Sequence, residues 1–431
     1  MWINIIRLKI LPWTLGLYSL AVMTTMAGME IFGWLSATLI LSVLVAGLWK
    51  PRLYDGIWFR ADWALVGLFG VVVLGASITA PSPPVGWGWD TIVGSARFVF
   101  LFMLLRLGIS WTWSDVVSKR IVYGLIGVAA LIGIYSVFQF YTGLDLIRGE
   151  GSQAVTLWGY RSNGQPYYRA AGMWDHPLRY SYFVGMNLCF AFAFFVIGMG
   201  KVGKHARWWM ALAFVLMCLG LMASLARGAW IAVVVAILVM SFYSGWKKAL
   251  GAVSVIAIAL GLAIATQPEI SDRLKTIFDL SNESNSSRFP IWKANWLMFL
   301  DQPIIGVGYG QNEAIIGEYF QRMGMPDDAF KGHAHNNYLQ FLSGTGILGF
   351  ACYMIFIGFY YWLAHSLYRR SSDPWTKAFA LGAVGMQIVM HVGGFTEANF
   401  KSAQVNQFFM LALAVLSVVY VRSNQTEQVR R

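Results

Sequence analysis

Charge is what this chain has least of. Charged residues fill 12% of its 431 positions, about half the ~25% of an ordinary soluble domain. Hydrophobic residues make up 58% and the mean hydropathy is +0.58. That deficit excludes a soluble globular domain and points to an all-α polytopic membrane protein. Cysteine is scarce as well. Cys189, Cys218 and Cys352 each fall inside an apolar run, where a thiol reads as a small buried apolar residue rather than a disulfide partner. The first apolar run lacks a small-residue cleavage signature, so it reads as a retained span and not a signal peptide. No internal repeat or low-complexity segment stands out.

What is present is a series of apolar runs. They lie at roughly 12–28, 33–48, 63–80, 89–107, 121–141, 178–199, 208–224, 229–245, 249–266, 338–364, 378–394 and 405–421. Each is about long enough to cross a bilayer core, which gives about 12 transmembrane helices. Residues 1–266 then hold nine spans with a smaller outward loop near 142–176. Residues 267–337 form a large, partly helical outward loop between the ninth and tenth spans. Residues 338–431 hold the last three spans and a tail.

Lys and Arg set the orientation. With a cytoplasmic N-terminus, 19 of the 32 basic residues and five of the 20 acidic ones fall on the inner side. The net charge of +12 is therefore mostly an orientation signal, and nucleic acid is not expected as a partner. Both termini face the cytoplasm and the 267–337 loop faces outward. Arg97 falls within or at the edge of the fourth span, where a charge is costly and is usually paired or functional.

Histidine, arginine and glycine gather in the outward segments. Ser287-Arg288-Phe289-Pro290 reads as a helix start, with Ser as the cap and Pro in the first turn. The Trp- and Leu-rich stretch 291–300 then lies along the membrane interface, and a further short helix follows over 313–323. Gly306-Val-Gly-Tyr-Gly310 has no strand before it, so it reads as a tight packing turn and not a nucleotide loop. His335 lies just before the span at 338, where the positive end of the helix dipole disfavours a second proton. A neutral, positioned imidazole suits a general base; an interfacial helix cap is the other reading. His333 is two residues away, and no carboxylate falls at a persuasive ligand spacing, Asp327 and Asp328 included, so no metal is expected. Arg227 and Arg288 gain nothing from the inside-positive rule. Their forked guanidinium groups match phosphate oxygens, with head-group anchoring as the alternative. Arg169 and His176 are further candidates of the same kind.

These residues resemble the O-antigen ligase and polymerase superfamily. The motifs are Ser224-Leu-Ala-Arg227-Gly-Ala-Trp230, Ser287-Arg288-x-x-x-Trp292, Pro303-Ile-Ile-Gly-Val-Gly308, and His333-Ala-His335-Asn336-x-x-Leu339 followed by Gly346-Ile-Leu-Gly349. One departure is visible: many members carry an acidic residue just before the Gly-Ile-x-Gly step, where this chain has Ser343-Gly-Thr-Gly346. The resemblance implies a metal-independent, inverting glycosyltransferase of the bacterial inner membrane, without cofactor. The donor would be a glycan on undecaprenyl pyrophosphate and the acceptor the outer-core sugar of lipid A–core, met among membrane lipids at the periplasmic face. It implies His335 as the base on the acceptor hydroxyl and Arg227 and Arg288 on the pyrophosphate. Arg169, His333, Asn336 and His176 stand beside them as possible substrate-binding residues. An O-antigen polymerase or a protein O-oligosaccharyltransferase shares the donor. A transporter is a more distant alternative, because its charges would gather near the midplane.

Overall fold

The computed structural model describes residues 2–46, 58–78, 87–149, 152–161, 163–198, 204–247, 268–277, 279–326 and 332–430, together with 250, 251 and 254. For 87–97 it describes the backbone alone, so the surroundings of Arg97 lie outside it. Most of the apolar run at 249–266, and Asp327 and Asp328, also lie outside the described residues.

The described chain is built almost entirely from helices. A π turn at Ile6–Ile10 leads into α1 (Leu11–Thr24), and α2 (Met26–Ala46) follows. The sequence pattern puts the break between these two spans at about 29–32. It lies instead at Thr25, a single extended residue (φ −152, ψ 132), and apolar flanks hide so short a link. Next come α3 (Asp62–Ile78), α4 (Trp87–Thr112) and α5 (Asp115–Thr142). After the segment at 143–176 the chain forms α6 (Pro177–Ile197), α7 (Lys204–Ala223) and α8 (Arg227–Tyr243). Three shorter helices, α9 (Pro268–Lys275), α10 (Arg288–Asp301) and α11 (Ile316–Arg322), make up the large polar segment. The last three are α12 (Asn337–Arg370), α13 (Pro374–Gly393) and α14 (Ala403–Arg430).

Among the described residues, six helices are long and apolar enough to cross a membrane, and four more are apolar but shorter. The chain is a multi-pass membrane protein. Its centre can be located by burial. The apolar stretches of α6 and α14 are 78% and 89% buried, against 33% in α2 and α5, so α6 and α14 form the middle while α2 and α5 face lipid. Among the described residues one ion pair has both side chains buried, at the start of α3 and near the end of α4. Arg106 of α4 donates to both carboxylate oxygens of Asp62 at 2.9 and 2.7 Å and to the Tyr360 hydroxyl at 3.2 Å. A charge in hydrocarbon needs such pairing to persist.

Two local features depart from the sequence reading. The 142–176 segment is not purely irregular: β1 (Thr156–Tyr160) and β2 (Pro166–Arg169) pair antiparallel, with Thr156 opposite Arg169. Ser287 does not cap α10. It is itself helical (φ −62, ψ −18) and makes no capping bond, because the turn Glu283–Ser286 runs straight into the helix.

The Gly-rich turn explains how the polar segment is fixed to the membrane helices. α12 is broken at Gly346 (φ 60, ψ −166), which frees backbone groups on both sides of the break. The turn at 303–308 takes them up. Val307 and Gly308 N–H donate to the Ser343 and Gly344 carbonyls at 2.9 and 3.1 Å, and Ile347 and Leu348 N–H donate to Pro303 and Ile304 at 2.9 and 3.2 Å. Non-helical backbone near lipid needs such partners. A Cβ at Gly306 (φ +71) would lie 2.5 Å from the Gly344 carbonyl carbon, so only glycine fits. Ser343 accepts from Asn312 at 3.3 Å and donates to Asn295 at 2.8 Å, joining a buried amide cluster.

Gly306→Ala combines the wrong φ with a backbone clash and should cost about 3 kcal/mol or more. Gly310→Ala shares the positive φ but meets open space and should cost only ~1 kcal/mol. Thermal unfolding of the two variants in detergent checks the difference; equal losses would refute the docking account.

Candidate functional site

The site is organised by the short link between α13 and α14, and that link is held by two asparagines. Asn336 caps α12, its side-chain oxygen accepting from Tyr338 and Leu339 N–H, while its amide NH₂ donates to the Phe395 carbonyl at 3.2 Å. Both ends of this possible substrate-binding residue are therefore engaged within the protein. Asn337 donates its backbone N–H to Gly394 at 2.7 Å and its side chain to Asn399 at 2.5 Å. It also accepts from Phe400 N–H at 3.0 Å. The link is thus tied to the start of α12, and Glu397, only 7% exposed, is carried under the two histidines.

The histidine segment is pinned just as firmly. Trp292 of α10 donates to the Ala334 carbonyl at 2.9 Å, and Ala334 N–H donates to Gln340 at 3.0 Å. His335 takes a left-handed backbone (φ 45), a conformation that costs a non-glycine residue energy and is typical of positioned site residues. The imidazole rings of His333 and His335 lie 4.0 Å apart, centre to centre. His335 Nδ1 is 3.2 Å from Glu397 Oε2, and His333 Nε2 is 3.3 Å from Glu397 Oε1.

These contacts assign the protons. Burial alone would raise the Glu397 pKa, but the hydrogen bond from His335 and the charges of His335, His333 and Arg288 outweigh it and hold the carboxyl down at about 2. An ionised carboxylate only accepts, so His335 carries its proton on Nδ1 and presents a basic Nε2. His333 must likewise carry its proton on Nε2, which agrees with its Nδ1 accepting the His335 N–H at 3.1 Å. Burial also lowers the His333 pKa, against the pull of Glu397.

The ligand atoms of His333, His335 and Glu397 lie within 4.8 Å of one another and could gather around a metal ion. The sequence pattern offered no such carboxylate; folding supplies one from 62 residues away. The hydrogen bonding nevertheless fits a metal poorly. Metal on His333 Nε2 would force the ring proton onto Nδ1, where it would face the His335 N–H.

Four arginines act on one another nearby, and two of them, Arg288 and Arg169, also act on Glu397. Arg169 of β2 donates to the Ser224 carbonyl at 2.9 Å, and Arg273 of α9 donates to Leu225 at 3.0 Å. Leu225 has a left-handed backbone (φ 52), which turns successive carbonyls towards the two guanidinium groups. Both guanidinium groups also lie over the Trp158 ring, at 5.4 and 4.7 Å. Arg227, the first residue of α8, donates to the Thr276 carbonyl and to Asn285 at 3.0 Å. Gly228 after it lets α8 approach closely, since a Cβ there would lie 2.4 Å from the Thr396 hydroxyl, next to Glu397. Arg288 begins α10.

Among the described residues none of the four has a carboxylate within ion-pair distance, whereas nearby Arg161 is paired to Glu269 at 2.6 Å. Burial, and then the charges of Arg227, Arg169 and Arg288, depress Arg273 to about 9. Burial and Arg227 depress Arg169 to about 10, against the pull of Glu397. Burial of Arg169, Arg227 and Arg273 beside one another, with carbonyls, the Asn285 side chain and the Trp158 ring as their contacts, suits a polyanion.

His176 caps α6, its Nδ1 accepting from Leu178 N–H at 3.2 Å. Burial, then Arg169 and Arg179, lower its pKa. It lines a cavity of about 550 Å³ together with Arg179, Tyr182, His333, His335 and Glu397.

The six expected residues His335, His333, Arg227, Arg288, Arg169 and His176 thus converge on one region. Sequence reasoning missed Glu397 and Arg273. Glu397 was legible as a lone acid in the short outward link between the last two spans, and Arg273 only as one of several charges opening the large polar segment.

A multi-pass helical protein with this constellation over its helix ends is similar, over part of its length, to known membrane proteins. Residues 212–354 match the family model described as O-antigen ligase. The O-antigen ligase of Salmonella typhimurium (strain LT2) is 26% identical over 208 residues, which cover 45% of this chain and 50% of that protein. The matched part of the chain is thus similar to O-antigen ligases, and the chain spans only about half the length of that curated relative. A solved chain from work described as "Structural coordination of polymerization and crosslinking by a peptidoglycan synthase complex" covers 85% of this chain and is itself covered in full. Its 16% identity and TM-score of 0.45 make that likeness too distant to use.

Because the folded carboxyl of Glu397 sits below its ordinary value of 4.5, its interactions stabilise the fold above about pH 4.5 and are lost as pH falls towards 2. The thermal midpoint of the wild type should therefore drop more steeply between about pH 4.5 and 2 than that of Glu397→Gln. Parallel slopes would show that Glu397 is not held as described.

Proposed function

We propose that this protein is an inner-membrane glycosyltransferase that moves an O-antigen glycan from undecaprenyl pyrophosphate to the outer-core sugar of lipid A–core, at the periplasmic face and without a metal. The observation that carries this reading is the adjacency of a carboxylate-oriented histidine to four arginines that lack carboxylate partners among the described residues. The family supports a ligase-type transferase in general terms; the donor, the acceptor and the residue roles are the proposal.

In this mechanism His335 Nε2 takes the proton from the acceptor hydroxyl as its oxygen attacks the anomeric carbon. The bond from that carbon to the pyrophosphate oxygen breaks on the opposite side, so configuration inverts. Undecaprenyl pyrophosphate departs with the electron pair. The charge of the developing imidazolium is offset by Glu397, and Glu397 fixes the tautomer throughout. Arg169, Arg227, Arg273 and Arg288 hold the leaving group and stabilise its growing charge, the part a metal plays elsewhere. Their electrostatic preorganisation needs no reorganisation at the moment of reaction.

His335→Ala should lower transfer by ~10²–10⁴-fold, and Glu397→Gln by on the order of 10²-fold or more through loss of the oriented tautomer. In a strain relying on either variant, glycan should accumulate on undecaprenyl pyrophosphate beside bare lipid A–core. Core capped with a single repeat would instead mean a polymerase, and unchanged lipid pools would sink the reading.

A further inference from the structure

Trp158 takes no part in the mechanism above, yet it touches two of the four arginines. The hairpin ladder skips it: Leu157 pairs with Tyr168 and Gly159 with Tyr167, which makes Trp158 the extra residue of a β-bulge. Bulges re-aim a side chain and gather beside active sites. Here the bulged residue carries the ring over which both guanidinium groups lie, Arg169 at 5.4 Å and Arg273 at 4.7 Å.

Those two arginines arrive from separate elements, β2 and α9, and their charges act on each other. Each is anchored through Nε to one of two successive carbonyls, Ser224 and Leu225. A guanidinium anchored there still has two terminal NH₂ groups, a fork that fits phosphate. The negative face of an aromatic ring offsets the repulsion of such a pair and leaves the forks to a ligand. A carboxylate in the same place would compete with an incoming anion. The nearest acid on α9 is engaged elsewhere. Glu269 stands four residues before Arg273, a spacing at which the two could pair, but it is buried and accepts from Arg161 Nε at 2.6 Å. Arg161 follows Trp158 by three residues and lies over Tyr141 at 4.7 Å and Phe140 at 5.5 Å. That ion pair fixes the hairpin against α9, and with it the Trp158 ring against Arg273.

We infer that Trp158 is a positioning residue, which keeps Arg169 and Arg273 paired as the seat for one phosphate of the donor's pyrophosphate. The inference rests on the proposed donor class and goes beyond it, because Arg227 and Arg288 are then left to the second phosphate. A lipid with one phosphate can use either pair alone. The Trp158 pair therefore sets the preference for a pyrophosphate over a monophosphate.

The test is equilibrium binding of undecaprenyl pyrophosphate and of undecaprenyl monophosphate to the full chain in phosphatidylethanolamine and phosphatidylglycerol vesicles. Glycan transfer is measured in parallel. The wild type should prefer the pyrophosphate. Trp158→Leu should cut pyrophosphate affinity about tenfold, the combined size of two exposed cation–π contacts, and leave monophosphate affinity nearly unchanged. Trp158→Phe, which keeps a ring, should recover most of the preference. Trp158 is 41% exposed, so neither substitution opens the core. Equal behaviour of the Leu and Phe variants would mean packing alone, and equal losses for both lipids would mean a general distortion. Either result would overturn the assignment and leave the transferase standing. The expected shift in preference, with no glycan transfer by the wild type, would keep the assignment and sink the transferase.

Discussion

The chemistry of this protein depends on one buried carboxylate. Glu397 is removed from water, which by itself would neutralise it, yet two imidazole N–H groups and the field of Arg288 keep it charged. Being charged, it can only accept, and that single fact fixes both histidine tautomers. The basic nitrogen of His335 follows from it. So does the balance of the site, because one buried negative charge meets two histidines and acts on arginines that, among the described residues, have no carboxylate at ion-pair distance.

Such an arrangement is only as good as the backbone that holds it, and here the support comes from broken helices. α12 starts at the Asn336 cap and is interrupted nine residues later at Gly346. The Gly-rich turn fills the interruption, and the Asn337 side chain reaches across to the link before α14. The polar segment is thereby locked onto three membrane helices, and α10 can press Trp292 against the histidine strand. Positive φ at His335 and Leu225 marks the two places where the chain is bent to aim a side chain or a pair of carbonyls.

Much of this was legible in the sequence. The apolar runs located the helices because a helix buried in lipid must be apolar on all sides. The concentration of arginine and histidine outside them pointed to the site, and Arg227, Arg288 and His335 do come together. The missing pieces share a cause. Glu397 lies 62 residues from His335, and Arg273 meets Arg169 only through folding, so no spacing rule can pair them. The hairpin at 156–169 was hidden because its strands of five and four residues carry no clear alternation. The one-residue link at Thr25 and the helical Ser287 were missed for a simpler reason. Local preference for a cap or a loop yields when a neighbouring helix runs on.

The most direct test of the account is a cryo-electron microscopy structure of the full chain with undecaprenyl pyrophosphate bound. The account predicts both phosphates held by guanidinium groups of Arg169, Arg227, Arg273 and Arg288, with His335 beside the free end and still on Glu397. Phosphates held instead by Arg179 and Lys401, or a metal ion seated between His333, His335 and Glu397, would contradict it.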